Sequence, residues 1–171
     1  MLKYAIFDYF PQRYYRRESF EQKELDRRIL DFKDGRKYVT ARAVNAVAQT
    51  LSLMDLSTTV IAFFPASCQR TTVRRYRRFS EVLCKRVGAI NGFDYITVNG
   101  HRGKKHRDSS LRSENMLCYA HIDMDFFRGK KVLVFDDICT TGKSSQAFIS
   151  RLEEVGASVQ MVLFLAKTKK F

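Results

Sequence analysis

The stretch KKVLVFDDICTTGKSSQ, Lys130 to Gln146, runs four consecutive apolar side chains, Val132 to Phe135, into two adjacent carboxylates, Asp136 and Asp137. A small polar loop ending in Gly142-Lys143-Ser144 follows. Four apolar residues with no polar alternation suit a strand covered on both faces, the habit of parallel sheets. The carboxylates then fall where that strand ends. In an open α/β sheet this carboxyl edge is where ligands bind, and the start of the next helix offers free backbone N–H groups to an anion. The stretch reads as a binding site at the mouth of a parallel sheet.

Composition sets the frame around it. With 171 residues, 45% of them hydrophobic, the chain is long enough for one domain with a sizeable core and short for two. No repeat or low-complexity tract divides it, and Pro11 and Pro65 are its only prolines. A single domain over 1–171 is expected, with a helical N-terminal part at 1–57 and a ligand-binding core at 58–171. The cysteines Cys68, Cys84, Cys118 and Cys139 form no C-x-x-C pair, so neither a zinc ribbon nor a disulfide framework is suggested. The expectation is a reduced, cytoplasmic protein without zinc. The longest uncharged runs, Val44 to Met54 and Leu56 to Gln69, fall short of the roughly 18 apolar residues that a membrane span needs. Tyr4-Ala5-Ile6-Phe7, flanked by Lys3 and Asp8, is no signal-peptide core. No membrane partner is expected.

Charge is the strongest anomaly. The chain carries 31 Lys and Arg against 18 Asp and Glu, a formal +13 with a pI near 9.8, which makes polyanions natural partners. RTTVRRYRRF places Arg70, Arg74, Arg75, Arg77 and Arg78 close together, and HRGKKHR adds Arg102, Lys104, Lys105 and Arg107. A solvated basic face is the alternative reading of either cluster.

Spacing gives the coarse layout. Phe20 to Asp34 is expected to be a helix ending at Gly35, and Val39, Ala43, Val47, Leu51 and Met54 recur at helical spacing in a second. TTVIAFFP, from Thr58, reads as a buried strand stopped at Pro65. Arg74 to Val87 reads as a helix closed by Gly88, and FDYITVNG as a shorter strand. Residues 100–113 are polar and basic, a long loop. MLCYAHI, the Lys131 to Asp137 run and VQMVLFLA supply three more strands, with a helix from Lys143 to Gly156 between the last two. Strand–helix–strand alternation implies an α/β fold, a mostly parallel open sheet with helices on both faces.

The loop chemistry narrows further. Gly142-Lys143-Ser144 matches the end of a nucleotide-binding P-loop, but the glycine that motif needs five positions earlier is Asp137, whose charge would repel phosphate. Asp123-Met124-Asp125 shares the acid pair of haloacid-dehalogenase phosphatases but has Phe127 where those carry threonine or valine, so chance explains it. What fits is a ligand with hydroxyls beside a phosphate. Two carboxylates accept hydrogen bonds from a vicinal diol, each worth roughly 1.5–3 kcal/mol when charge-assisted. The Thr140 and Thr141 hydroxyls and the N–H groups around Gly142 suit a phosphate monoester. Diol plus phosphate describes a ribose 5-phosphate.

At these residues the sequence resembles the type I phosphoribosyltransferases: VLVFDDICTTGKSS looks like their phosphoribosyl-pyrophosphate (PRPP) signature. Within them it is most similar to the competence-type subfamily, through RRILDFKDGRKYVTARAVNAVAQTL, RRYRRFSEVL and LRSENM. The resemblance implies that Asp136 and Asp137 meet the ribose hydroxyls, with Mg²⁺ beside them, and that Thr140, Thr141, Gly142, Lys143 and Ser144 wrap the 5-phosphate. It also implies a pyrophosphate loop at Pro65 to Cys68, with Ala66 and Ser67 as contacts and Arg74 or Arg75 supplying charge. The loop carrying Lys104, Lys105, His106 and Arg107 would be a lid. The sequence departs from the pattern in three places. The zinc ribbon is missing, Arg77-Arg78-Phe79-Ser80 lacks a glycine and an asparagine, and Thr140 stands where 6-oxopurine enzymes carry an aspartate. Two functions follow as expectations: Mg²⁺-dependent phosphoribosyl transfer to a base or amine, or a non-catalytic factor binding nucleotide and single-stranded nucleic acid. Nothing in the residues fixes the oligomeric state, and a homodimer is compatible with them.

Overall fold

A computed structural model describes residues 1–12, 18–99 and 120–169. Its elements, in chain order, are β1 (Leu2–Tyr9), α1 (Phe20–Lys33), α2 (Lys37–Thr50), β2 (Thr59–Phe63), α3 (Gln69–Val87), β3 (Ile90–Asn91) and β4 (Ile96–Val98), then β5 (Ala120–Ile122), α4 (Met124–Phe127), β6 (Lys131–Cys139), α5 (Lys143–Glu154) and β7 (Ser158–Thr168). Five strands form one sheet in the order β1-β7-β6-β2-β3, every neighbouring pair parallel. β4 and β5 pair antiparallel as a separate ribbon. The α/β class and the mostly parallel sheet are as the sequence implies.

The continuous apolar runs acquire their meaning from the alternation of side chains along a strand. Ile61, Phe63, Leu133, Phe135, Leu163 and Leu165 point to one face and pack with residues of α1, α2 and α3. Val60, Ala62, Val132, Val134, Val162 and Phe164 point to the other and pack with α5 and the β4–β5 ribbon. Each run must be apolar throughout because both faces are covered. On the first face Phe32, Phe63, Tyr76, Phe79 and Phe135 form an aromatic knot, with centroids 4.9 Å apart for Phe32–Phe79 and for Phe79–Phe135. This knot ties α1 and α3 to the strand that delivers the two carboxylates.

Local rules set the boundaries. Ser19 caps α1 by accepting from the Gln22 N–H, and α3 stops at Gly88, whose φ of 69° suits a residue without Cβ. α3 begins at Gln69, five residues before the expected Arg74. Thr72 is responsible: its Oγ1 donates to the Cys68 carbonyl and accepts from the Ala66 N–H, fixing the first turn where no apolar period announces it. The expected helical N-terminal part is also incomplete, since β1 precedes its helices as an edge strand against β7. Of the strands expected at Phe93–Gly100 and Met116–Ile122, the described portions are a short 3-10 turn at Phe93–Tyr95 with β4, and β5. Asp123 serves structure, accepting from the Phe126 N–H at the start of α4. Among the described residues no helix is long and apolar enough to cross a membrane.

Candidate functional site

The carboxyl ends of β2 and β6 open into a cleft of about 400 Å³, lined by Lys33, the 64–67 segment, Arg75 and residues 136–142, 144 and 145. The sheet brings the two loops together because β2 and β6 are adjacent and parallel, with Phe63 level with Phe135. Ala66, Ser67, Arg75, Asp136, Asp137, Thr140, Thr141, Gly142 and Ser144 all meet here. Arg74 and Lys143 do not. Arg74 is exposed and lies against Gly35, whereas Lys143 borders a second cavity with Lys3 and Lys167. Lys104, Lys105, His106 and Arg107 lie outside the described residues.

The two acids differ although they are neighbours. The Asp137 N–H donates to Asp136 Oδ1 at 2.8 Å, and the Ile138 N–H donates to Asp137 Oδ1 at 2.6 Å. Asp137 Oδ2 receives Arg75 Nη1 at 2.5 Å, an ion pair whose side chains are only 11% and 7% exposed. Arg75 is held from behind as well, its Nε donating to the Lys33 carbonyl at 2.5 Å. Asp136 has no ion-pair partner among the described residues. Burial, reinforced by the charge of Asp137, pushes its carboxyl well above the usual carboxylate range. The same surroundings act on Tyr76, where burial first and the two carboxylates next push the phenol up. The Tyr76 hydroxyl is buried with no hydrogen-bond partner among the described residues.

This asymmetry has a testable sign. The folded pKa of Asp136 lies above its unfolded value, so its contribution to stability is present at low pH and is lost as pH rises through the folded value. Asp136→Asn keeps the acceptor for the Asp137 N–H and removes the charge. It is expected to be more stable than wild type at pH 8, with the difference vanishing near pH 4. Melting curves at both pH values check it.

The phosphate-side loop is built by Gly142. With φ at 74° it is the left-handed N-cap of α5, and no side chain caps that terminus. The Ser145 hydroxyl donates to the Gly142 carbonyl at 3.0 Å and locks the turn. Thr140 and Thr141 stay exposed beside the start of α5. Across the cleft the Ala66 N–H is already donated to Thr72, which leaves Ser67 as the polar contact of that loop. Cys139 borders the cleft with its thiol pushed up by burial and then by Asp136, a poor setting for a nucleophile. Lys33 and Arg75's second anchor were not legible beforehand, because their positions depend on how the end of α1 meets α3.

No family model matches the chain, and no curated protein matches it. Among solved structures it is similar to the adenine phosphoribosyltransferase from Rhodothermus marinus DSM 4252, at 17% identity and a TM-score of 0.48 over 78% of this chain and 69% of that one. It is also similar to the adenine phosphoribosyltransferase from Leishmania tarentolae, at 11% identity and a TM-score of 0.47 over 94% and 83%. The purine phosphoribosyltransferase from Pyrococcus horikoshii Ot3 gives 18% and 0.44 over 77% and 84%. Likeness at this level extends to the layout of strands and helices, and neither substrate nor chemistry is read from it.

Proposed function

We propose that the cleft binds a ribose 5-phosphate unit, as carried by PRPP or a nucleoside 5-monophosphate, and that the protein is a phosphoribosyltransferase-like enzyme. The observation that carries this reading is the meeting, in one cleft, of the Asp136–Asp137 pair with the N-terminus of α5 behind Gly142. Both carboxylates line the cleft and can accept from the hydroxyls of a diol, and the exposed residues Thr140 and Thr141 with the helix N–H groups suit a doubly charged phosphate. In transfer from PRPP the C1–O bond to pyrophosphate breaks, a C1–N bond to the incoming base forms, and the base gives up its proton. Charge develops as an oxocarbenium at C1 and as pyrophosphate leaving. Asp137 would hold the ribose hydroxyls, the α5 terminus would fix the phosphate, and Ser67 lies on the β2 side, where the leaving group would sit.

Calorimetry with PRPP and with adenosine 5-monophosphate tests binding, and pyrophosphate release across a panel of bases tests transfer. Absence of heat and of thermal stabilisation at millimolar ligand would sink the reading. Gly142→Val gives a sharper test. A Cβ there would meet Cys139 Sγ at 3.7 Å and Ser145 Oγ at 4.0 Å, both ordinary contacts, so space is available, but a β-branched residue at φ 74° is strained by about 1–2 kcal/mol and must turn the loop. Phosphate affinity is expected to fall by more than about tenfold, while the melting point drops by only about 2–8 °C and the protein stays folded.

A second reading is favoured by the way α3 sorts its arginines. Arg75 turns inward, while Arg70, Arg74, Arg77 and Arg78 are exposed along the helix. Arg77 alone of these has an ion pair among the described residues, with exposed Asp94 at 3.5 Å. Such a face suits single-stranded nucleic acid. With about four phosphate contacts, log K for oligothymidylate would fall against log salt with a slope of roughly −3. Length-independent, salt-insensitive binding would remove this reading.

A further inference from the structure

Mg²⁺ beside the two acids is what the resemblance to phosphoribosyltransferases implies, and the donor set does not fit it. A divalent cation held through carboxylates needs their negative charge unspent, whereas a neutral hydroxyl needs only a remaining lone pair. Asp137 Oδ1 accepts the Ile138 N–H at 2.6 Å, and Oδ2 accepts the Arg75 guanidinium at 2.5 Å. Asp136 Oδ1 accepts the Asp137 N–H at 2.8 Å. The cation already in place is not a loose surface arginine. Its Nε is anchored on the Lys33 carbonyl at 2.5 Å, at the end of α1, and the side chain is 11% exposed. For Mg²⁺ to enter, the guanidinium must give up both contacts or stay beside a second cation in a partly dry cleft, and it has no deprotonated form to escape into.

We infer that Arg75 stands in for the divalent cation at Asp137, so that the cleft takes a diol-bearing phosphate ligand without metal. This rests on the ribose-phosphate reading above. Arg75 and Asp137 both line the cleft, so a ligand there meets a carboxylate whose charge is balanced from within the protein. Each carboxylate oxygen has a second lone pair for a ribose hydroxyl. The guanidinium fork is planar and pre-oriented, which fixes the carboxylate before the ligand arrives as a hydrated ion would not. Arg75 acts here as a positioning residue that supplies charge, distinct from the exposed arginines of the same helix.

The test uses ribose 5-phosphate, whose lack of pyrophosphate removes metal chelation by the ligand as a cause. Its affinity for the wild-type protein is measured by calorimetry in millimolar magnesium chloride and in millimolar EDTA. The expected result is a change of less than about twofold between the two. Arg75→Gln is expected to lose about tenfold in EDTA and to regain most of it in magnesium chloride, because the emptied place at Asp137 then accepts the metal. Arg75→Lys, which keeps a charge, should stay indifferent to the metal. A merely structural role for Arg75 would lower affinity equally in both buffers. Wild-type binding that needs magnesium overturns this inference and leaves the ribose-phosphate reading standing. An absence of binding in both buffers overturns that reading, and this inference with it. The wild-type comparison decides the matter even if the glutamine variant does not fold.

Discussion

Arg75→Met is expected to destabilise the protein by about 3–5 kcal/mol, because it removes one partner of a buried ion pair and leaves the other uncompensated. Asp137 is only 7% exposed on its side chain, so water from the cleft takes over the role of the guanidinium only in part. The loss also frees the Lys33 carbonyl, which Arg75 Nε now satisfies at 2.5 Å. For a domain of this size each kcal/mol moves the melting point by roughly 2–4 °C, so a drop of about 6–20 °C is expected. Urea denaturation gives the free energy directly, and a double variant with Asp137→Asn should recover part of it, since the orphaned charge has then gone. A loss below about 1 kcal/mol would mean that the pair is loose and hydrated, in the manner of surface pairs.

Phe135→Ala carries an effect of similar size through packing. The ring is fully buried and lies against Phe32, Phe63, Tyr76 and Phe79, at 6.3, 6.1, 6.2 and 4.9 Å between centroids. Truncation of such a residue costs about 3–5 kcal/mol, from lost burial and from the cavity left behind. Here it also loosens the contact between α3 and β6. The carboxylates immediately follow Phe135 and Arg75 immediately precedes Tyr76, so the cavity would open beneath the ion pair. Ribose 5-phosphate affinity is expected to fall in Phe135→Ala even at temperatures where the protein remains folded. Phe135→Leu, which fills more of the space, should retain affinity and cost less than half as much stability. Unchanged affinity in the alanine variant would show that the site is held without the aromatic knot.

Much of this architecture was legible because both faces of the sheet are covered. The runs at Val132–Phe135 and Met161–Ala166 are too continuously apolar to be anything but buried strands, and the helix between them carries a plain apolar period and a glycine stop. β1 was not legible, since an edge strand has one sheet neighbour and a mixed face, and Lys3 and Asp8 break up its apolar residues. The start of α3 was hidden because Thr72 makes it with a hydroxyl. Within the site, the carboxylates and the Gly142 loop stand out by local chemistry. Arg75 was visible as charge but not as the partner of Asp137, since 62 residues separate them and only the fold joins α3 to the end of β6. The distinction between Asp136 and Asp137 was equally out of reach. It comes from a cation that meets one acid and not the other.

The position of β1 bears on how the molecule is made. Leu2 lies beside Met161 and Tyr9 beside Thr168, so β1 is synthesised well before β7, at residues 158–168, its one sheet neighbour among the described residues. At translation rates of about 5–20 residues per second, that is a wait on the order of 10–30 s. During it the helices and the β2–β6 pair can assemble, while β1 offers an open hydrogen-bonding edge to any other extended chain nearby. Synthesis and assembly thus run in opposite orders along this polypeptide. Nascent β1 is a segment whose open edge needs shielding until β7 has followed it.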